Sequence, residues 1–222
     1  MEIIQGLTGT AFETGYSILE SRGSAIVGMS LGNSYFNRPT IDELLYFCAT
    51  SFCSLSVMIP DLPAEHTYKA LGYSAEQAQR KARLGGNTLR NHCQGEVQLY
   101  DNISIFDWQR DVESHGEYCH QLETLRLLYN SNPNFKENVQ SATAGVVQRK
   151  LKKERKIEDA IEEGIHYLLK ELAFLSVAPS VLGVERIGYV YHQQWKIYED
   201  FVDGKFNGIK RNDLGFIIVN SV

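Results

Sequence analysis

Two short apolar runs constrain this chain most: residues 24–29 (SAIVGM) and 54–59 (SLSVMI). Each is apolar at successive rather than alternate positions, so a strand built from either must be covered on both faces. Between them, LGNSYFNRPT carries Gly, Pro and two Asn and reads as a loop. TIDELLYFCAT then reads as a helix, with Thr40 as cap, acids at Asp42 and Glu43, and an apolar stripe behind them. The opening is therefore β-loop-α-β. Residues 186–191 (RIGYVY) and 215–219 (GFIIV) read as further buried strands, and 96–100 is strand-like.

Helical patterning fills much of the rest. Ser74 with Gln77 has capping-box spacing for a helix over AEQAQRKARL, whose later part Gly85 and Gly86 weaken. Residues 104–175 are mostly helical in pattern, with a break at the SNPN signal over 131–134. Strands alternating with helices predict an α/β fold with a parallel sheet flanked by helices. A chain of 222 residues with 43% hydrophobic content suits one domain, residues 1–222.

Several function classes lose ground on composition. No run approaches the roughly 18 apolar residues of a membrane span, and the N-terminus has no signal-peptide pattern, so a cytoplasmic protein without a membrane partner is expected. Cys48, Cys53, Cys93 and Cys119 form neither a CxxC pair nor a Cys/His zinc spacing, so neither a metal nor a cofactor is expected. The net charge of −5 gives no overall affinity for nucleic acid, and DNA is not an expected partner. Any polyanion must meet a local patch. One is Arg149, Lys150, Lys152, Lys153, Arg155 and Lys156; a thinner one is Arg80, Lys81, Arg83 and Arg90.

In an open parallel sheet, ligands gather where strands end at their carboxyl edge. The turn after Met29 is such an end, which places Ser30 where chemistry can occur. Gly28-Met29-Ser30-Leu31-Gly32 matches G-x-S-x-G, the elbow of serine hydrolases, although few residues precede it and no oxyanion loop accompanies it. A turn serine satisfying its own backbone is the plainer alternative.

The longer string Gly28-Met29-Ser30-Leu31-Gly32-Asn33-Ser34-Tyr35-Phe36 resembles the N-terminal signature of cyclodipeptide synthases, in which the first serine is the nucleophile. Tyr167-Leu168-Leu169-Lys170-Glu171 resembles the family's helical Tyr-x-x-x-Glu pair, and Tyr191 within GYVYH matches its late strand-end tyrosine. The resemblance implies a Rossmann-like fold similar to the catalytic domain of class I tyrosyl- and tryptophanyl-tRNA synthetases. No HIGH-like or KMSKS-like segment is present, so activation is expected beforehand, on the tRNA. Two aminoacyl-tRNAs are then the substrates, the product is a 2,5-diketopiperazine, and aminoacyl- and dipeptidyl-seryl species are the intermediates. The second aminoacyl-tRNA is expected to offer its amine as the nucleophile. A monomer is expected. The alternatives are a serine hydrolase using the GMSLG elbow and a tRNA-binding protein without catalysis.

Residue roles follow from the same resemblance. Ser30 carries the acyl group, Tyr167 and Glu171 hold the amino group, and Tyr191 relays protons, with Glu171 as an acceptor. Asn33 and His192 support the site, although strand alternation sends His192 to the face opposite Tyr191. Gly28, Met58 and Pro60 resemble residues lining the first aminoacyl pocket. The basic residues Arg80, Lys81, Arg83, Arg90, Arg149, Lys150, Lys152 and Lys153 are candidates for docking tRNA. Physical chemistry adds one requirement. On an apolar helix stripe, Glu171 is costly unless something positive or hydrogen-bonding meets it, whether a lysine such as Lys170 or the ammonium of a substrate.

Overall fold

The computed structural model describes residues 1–150, 156–206 and 214–220, apart from the Lys150 side chain. Lys152, Lys153 and Arg155 of the basic run lie outside the described residues. In chain order the strands are β1 (Glu2–Ile3), β2 (Ser24–Gly28), β3 (Ser54–Met58), β4 (Ile103–Ile105), β5 (Ile187–Tyr191) and β6 (Leu214–Asn220). The helices are α1 (Thr10–Glu20), α2 (Arg38–Ser51), α3 (Asp61–Ala70), α4 (Ala75–Leu99), α5 (Gly116–Ser131), α6 (Pro133–Lys150), α7 (Ile157–Val181) and α8 (Lys196–Val202). A π-helical turn, Trp108–Glu113, leads into α5.

The strands form one sheet in the order β1-β6-β5-β2-β3-β4. Strands β2 to β6 are parallel, and the two-residue β1 adds an antiparallel edge on β6, so the sheet is mixed rather than wholly parallel. The apolar runs behave as successive burial requires. Ile26, Met58, Tyr189, Phe216 and Ile218 join the core under α5, α7 and α8. Their alternate neighbours Ala25, Val27, Val57, Val190 and Ile217 join a second core under α2 and α4.

Order and register fix where a ligand can enter. From β2 the chain moves outward through β3 and β4, then returns to lay β5 on the other side of β2. The strand order therefore reverses between β2 and β5, and the loops leaving their carboxyl ends diverge. That divergence opens a crevice at a topological switch point. Ser30 leaves β2 there, and Tyr191 ends β5 there.

Three boundaries differ from the sequence reading. Helix α2 is capped by Asn37, whose side chain accepts the Thr40 N–H at 3.1 Å, rather than by Thr40; Pro39 then sits in the first turn, where its missing N–H costs nothing. Residues 96–99 are the last turn of α4, not a strand; the strand is β4, three residues further on. Helix α7 continues past Leu175 to Val181, with Pro179 in its last turn.

The capping box at Ser74 and Gln77 is present, and α4 then runs unbroken through Gly85 and Gly86. A Cβ at residue 86 would lie 2.7 Å from the Asp61 Cβ, so the absent side chain lets α4 pack directly on α3. Helix propensity lost at glycine, about 1 kcal/mol, is outweighed by that contact.

Candidate active site

The serine turn is built by its glycines. Asn33 N–H donates to the Ser30 carbonyl at 3.3 Å, closing a tight turn, and Gly32 within it has φ +69°. A type II turn needs glycine at that place, because an L side chain there meets the backbone. The turn projects the Ser30 hydroxyl to within 2.8 Å of the Tyr191 hydroxyl, 161 residues away in sequence.

Asn33 is held from both ends. Its Oδ1 accepts the Tyr35 N–H at 3.1 Å, which leaves its Nδ2 to donate to His192 Nε2, also at 3.1 Å. His192 Nε2 is therefore the unprotonated nitrogen. Burial lowers the basicity of this ring, in agreement with a neutral acceptor. The imidazole stacks on Tyr35, with ring centroids 4.2 Å apart and planes 20° apart. Strand alternation had sent His192 away from Tyr191, but β5 ends at Tyr191 and the chain turns. The His192 and Tyr191 rings lie 4.5 Å apart, and both line one cavity.

That cavity has a volume of about 570 Å³. Besides Ser30, Asn33, Tyr191 and His192, it is lined by Tyr167 and Glu171 from α7. Tyr167 and Glu171, one helical turn apart, are hydrogen-bonded to each other. Lys170 turns the other way and pairs with Glu113 at 2.8 Å, so it does not neutralise its neighbour. Glu171 is 5% exposed and, among the described residues, has no ion-pair partner. Burial raises its carboxyl pKa to about 7, and the Tyr167 hydroxyl offsets only part of that rise. Burial likewise lifts Tyr191 to about 12, against a lowering by its bond to Ser30, and Tyr167 well above the usual phenol range. Both phenols stay protonated at neutral pH, so each keeps a hydroxyl that can donate as well as accept. Away from this polar corner, Ala64, Ala142, Val146, Val147 and Leu168 give the cavity an apolar wall, and Arg149 adds a guanidinium.

Not every expected residue comes to this cavity. Gly28, Met58 and Pro60 are buried in the layer beneath and are absent from its wall. The Tyr189 ring is the reason at Gly28, because a Cβ there would lie 2.3 Å from the Tyr189 hydroxyl. Among the basic residues, Arg90 is committed to Asp61 at 2.6 Å and braces α4 against α3, which removes it from the free cations. Arg80 and Arg83 are exposed, and Lys81 lies over the Tyr73 ring at 4.6 Å. Tyr35 and Trp195 also belong to the site and were missed: Tyr35 supports His192, and Trp195 lines the cavity. Tyr35 stood within the quoted nine-residue string, but only the fold shows what it touches.

The family model for cyclodipeptide synthase matches residues 7–221. The chain is 25% identical over 212 residues to a cyclo(L-leucyl-L-leucyl) synthase of Bacillus subtilis, covering 92% of this chain and 85% of the relative. Among solved structures, a cyclodipeptide synthase of Staphylococcus haemolyticus superposes with a TM-score of 0.81 at 22% identity, over 96% of this chain and 97% of that one. A Mycobacterium tuberculosis structure, described as demonstrating that cyclodipeptide synthetases are related to type I tRNA synthetases, has a TM-score of 0.79 at 21% identity, over 95% of this chain and 90% of that one. With its sheet order, its crevice and a family match over nearly its whole length, this chain belongs to the cyclodipeptide synthase family.

Proposed function

We propose that this chain joins the aminoacyl groups of two aminoacyl-tRNAs into a cyclic dipeptide, with Ser30 as the covalent carrier. The observation that carries the reading is Glu171: a buried carboxylate with no cation partner among the described residues, in the same cavity as the Ser30 hydroxyl. A substrate ammonium supplies the missing positive charge, and the acyl carbon, bonded to the same α-carbon as that nitrogen, then falls near the serine.

Ser30 Oγ attacks the ester carbonyl of the first aminoacyl-tRNA. The ribose oxygen leaves, and the serine proton reaches it through the Tyr191 hydroxyl, which both accepts and donates. One ester replaces another. Atom balance sets the middle step differently from the expectation above. Attack by the second substrate's amine on the seryl ester would expel Ser30 and leave the dipeptide on tRNA. For the dipeptide to stay on the enzyme, the amine of the Ser30-bound residue attacks the second tRNA ester, whose ribose oxygen leaves. The amine of the newly added residue then attacks the seryl ester, closing the ring and returning the proton to Ser30.

Each attacking amine must first lose a proton. An α-ammonium titrates near pH 8. A Glu171 carboxyl raised to about 7 by burial is close enough to accept that proton at little cost. Oxyanion donors are available at the serine turn. Asn33 N–H is already used within it, which leaves the Leu31 and Gly32 N–H groups.

Phosphate contacts fall to cations beside the cavity, Arg149 on its wall, and to Arg80, Lys81 and Arg83 on α4. The hydrolase alternative is disfavoured because, among the described residues, the partner of Ser30 is a phenol rather than an imidazole, and His192 Nε2 is engaged by Asn33. Mass spectrometry of culture medium from a host expressing the chain and its Ser30→Ala variant tests the reading. Diketopiperazines are expected only with the unaltered chain, and their absence from both overturns it. Binding of tRNA without a covalent adduct would favour the non-catalytic alternative.

A further inference from the structure

Three tyrosines line the cavity, and two of them are engaged: Tyr191 is bonded to Ser30, and Tyr167 to Glu171. The third is Tyr68 of α3, whose hydroxyl makes no hydrogen bond to any described residue. Burial raises the pKa of this phenol, with Tyr73 adding to the rise, so it keeps its proton at neutral pH. Two glycines leave room around it. A Cβ on Gly85 of α4 would lie 3.6 Å from the Tyr68 hydroxyl, and one on Gly32 of the serine turn 3.9 Å. The hydroxyl therefore stands in a gap between α4 and the serine turn, where neither neighbour has a side chain. Behind it, the ring meets Tyr73 edge to face, with centroids 6.0 Å apart and planes at 73°, and Tyr73 N–H donates to the Tyr68 carbonyl at 3.2 Å. Lys81 Nζ lies 4.6 Å from the centre of the Tyr73 ring, and Arg80 and Arg83 are exposed on the same helix. A continuous series of contacts thus runs from the basic residues of α4 through Tyr73 and Tyr68 to the serine turn.

We propose that Tyr68 is a substrate-contacting residue, its hydroxyl bonding the free hydroxyl of the tRNA's terminal ribose, the one beside the ester. The proposal rests on the synthase function given above. A half-buried phenol without a partner needs a polar group from the ligand. The phosphates of the substrate meet the cations of α4 and its acyl carbon meets Ser30; the terminal ribose is what joins the two. Its two hydroxyls are neighbours on the ring: while one carries the ester, the other both accepts and donates. Tyr68 donates to that free hydroxyl, which in turn donates to the ester oxygen as it leaves with the electron pair of the acyl bond. The proton that this oxygen keeps still comes from Ser30 through Tyr191. The contact therefore stabilises developing charge and adds no proton transfer of its own. It also gives the site a means of telling a ribose terminus from a deoxyribose one.

Single-turnover labelling of Ser30 is measured with two charged tRNAs, one ending in an ordinary ribose and one whose terminal nucleotide has hydrogen in place of the hydroxyl beside the ester. The unaltered chain is compared on both with Tyr68→Phe, which keeps the ring against Tyr73. Tyr68→Phe is expected to be acylated by the ribose substrate roughly 3- to 10-fold more slowly than the unaltered chain, and by the deoxy substrate at the unaltered chain's rate, because the bond is already absent there. Any effect of the missing hydroxyl on the reactivity of the ester itself is common to both proteins and cancels. Should Tyr68→Phe not accumulate as soluble protein, Tyr68→Leu, which also lacks the hydroxyl, is read by its ratio of ribose to deoxy rates, which is expected to fall by the same factor. Equal slowing on both substrates, or none on either, overturns the proposal. Absence of label from the unaltered chain with both substrates instead overturns the seryl-carrier function on which it rests.

Discussion

At the scale of single residues, burying Glu171 costs stability, a cost that its proposed role would explain. Its carboxyl is raised by burial from 4.5 in the unfolded chain to about 7 in the fold. Between those values the unfolded chain has released the proton and the folded one still holds it. Stability therefore falls as pH rises through that window and levels off above it, by at most about 3 kcal/mol. Glu171→Gln abolishes that dependence, and denaturant melts are expected to show a variant more stable than the parent at pH 8 but no different at pH 4. The same variant is expected to lose product formation by a factor of about 10² to 10³, since it neither pairs with an ammonium nor accepts its proton. For the parent, kcat/KM should be bell-shaped, rising with the Glu171 carboxyl at about 7 and falling as the substrate ammonium deprotonates near 8. Tyr191→Phe removes the hydroxyl bonded to Ser30 and should lower the rate of seryl acylation about 10²-fold with the melting midpoint little changed, as single-turnover labelling by aminoacyl-tRNA would measure.

At the scale of elements, close packing rather than propensity decides. Gly28 and Tyr189 belong to adjacent parallel strands, and the hydroxyl of one stands where a methyl of the other would be. Gly28→Ala is expected to destabilise by about 1–3 kcal/mol, and to recover most of that loss in a Tyr189→Phe background, where the oxygen is gone. Urea unfolding of the two single variants and the double variant measures the coupling. Helix α4 behaves similarly: its glycines at 85 and 86 predicted a weakened helix, whereas they form its packing face against α3 and the serine turn, beside the Arg90–Asp61 bridge. The Ser74 and Gln77 signature was legible because a capping box is local chemistry. The strand proposed for residues 96–100 failed because alternation over five residues also fits the last turns of a helix that is half covered.

At the scale of the whole molecule, the excess of acidic residues means that the proposed tRNA docking has to be local. Product formation is expected to decline with added salt, and replacing Arg80, Lys81 and Arg83 by Ala should flatten that decline, whereas Arg90→Ala should act through stability because its charge is already paired with Asp61. An unchanged salt slope in the triple variant would remove α4 from the docking surface. What the sequence by itself determined were the features with a local cause. The consecutive apolar runs had to become strands buried on both faces, the chain had to turn after Met29, and Tyr167 and Glu171, four residues apart on a helix, had to share its side. What only the tertiary structure decided was which of these meet. Parallel pairing of β5 beside β2, not β4 beside β2, brings Tyr191 to Ser30 across 161 residues, ends β5 in time to turn His192 into the cavity, and lays Tyr189 over Gly28. Strand order and register arise from the packing of all the layers at once, and no stretch of sequence carries that sum within itself.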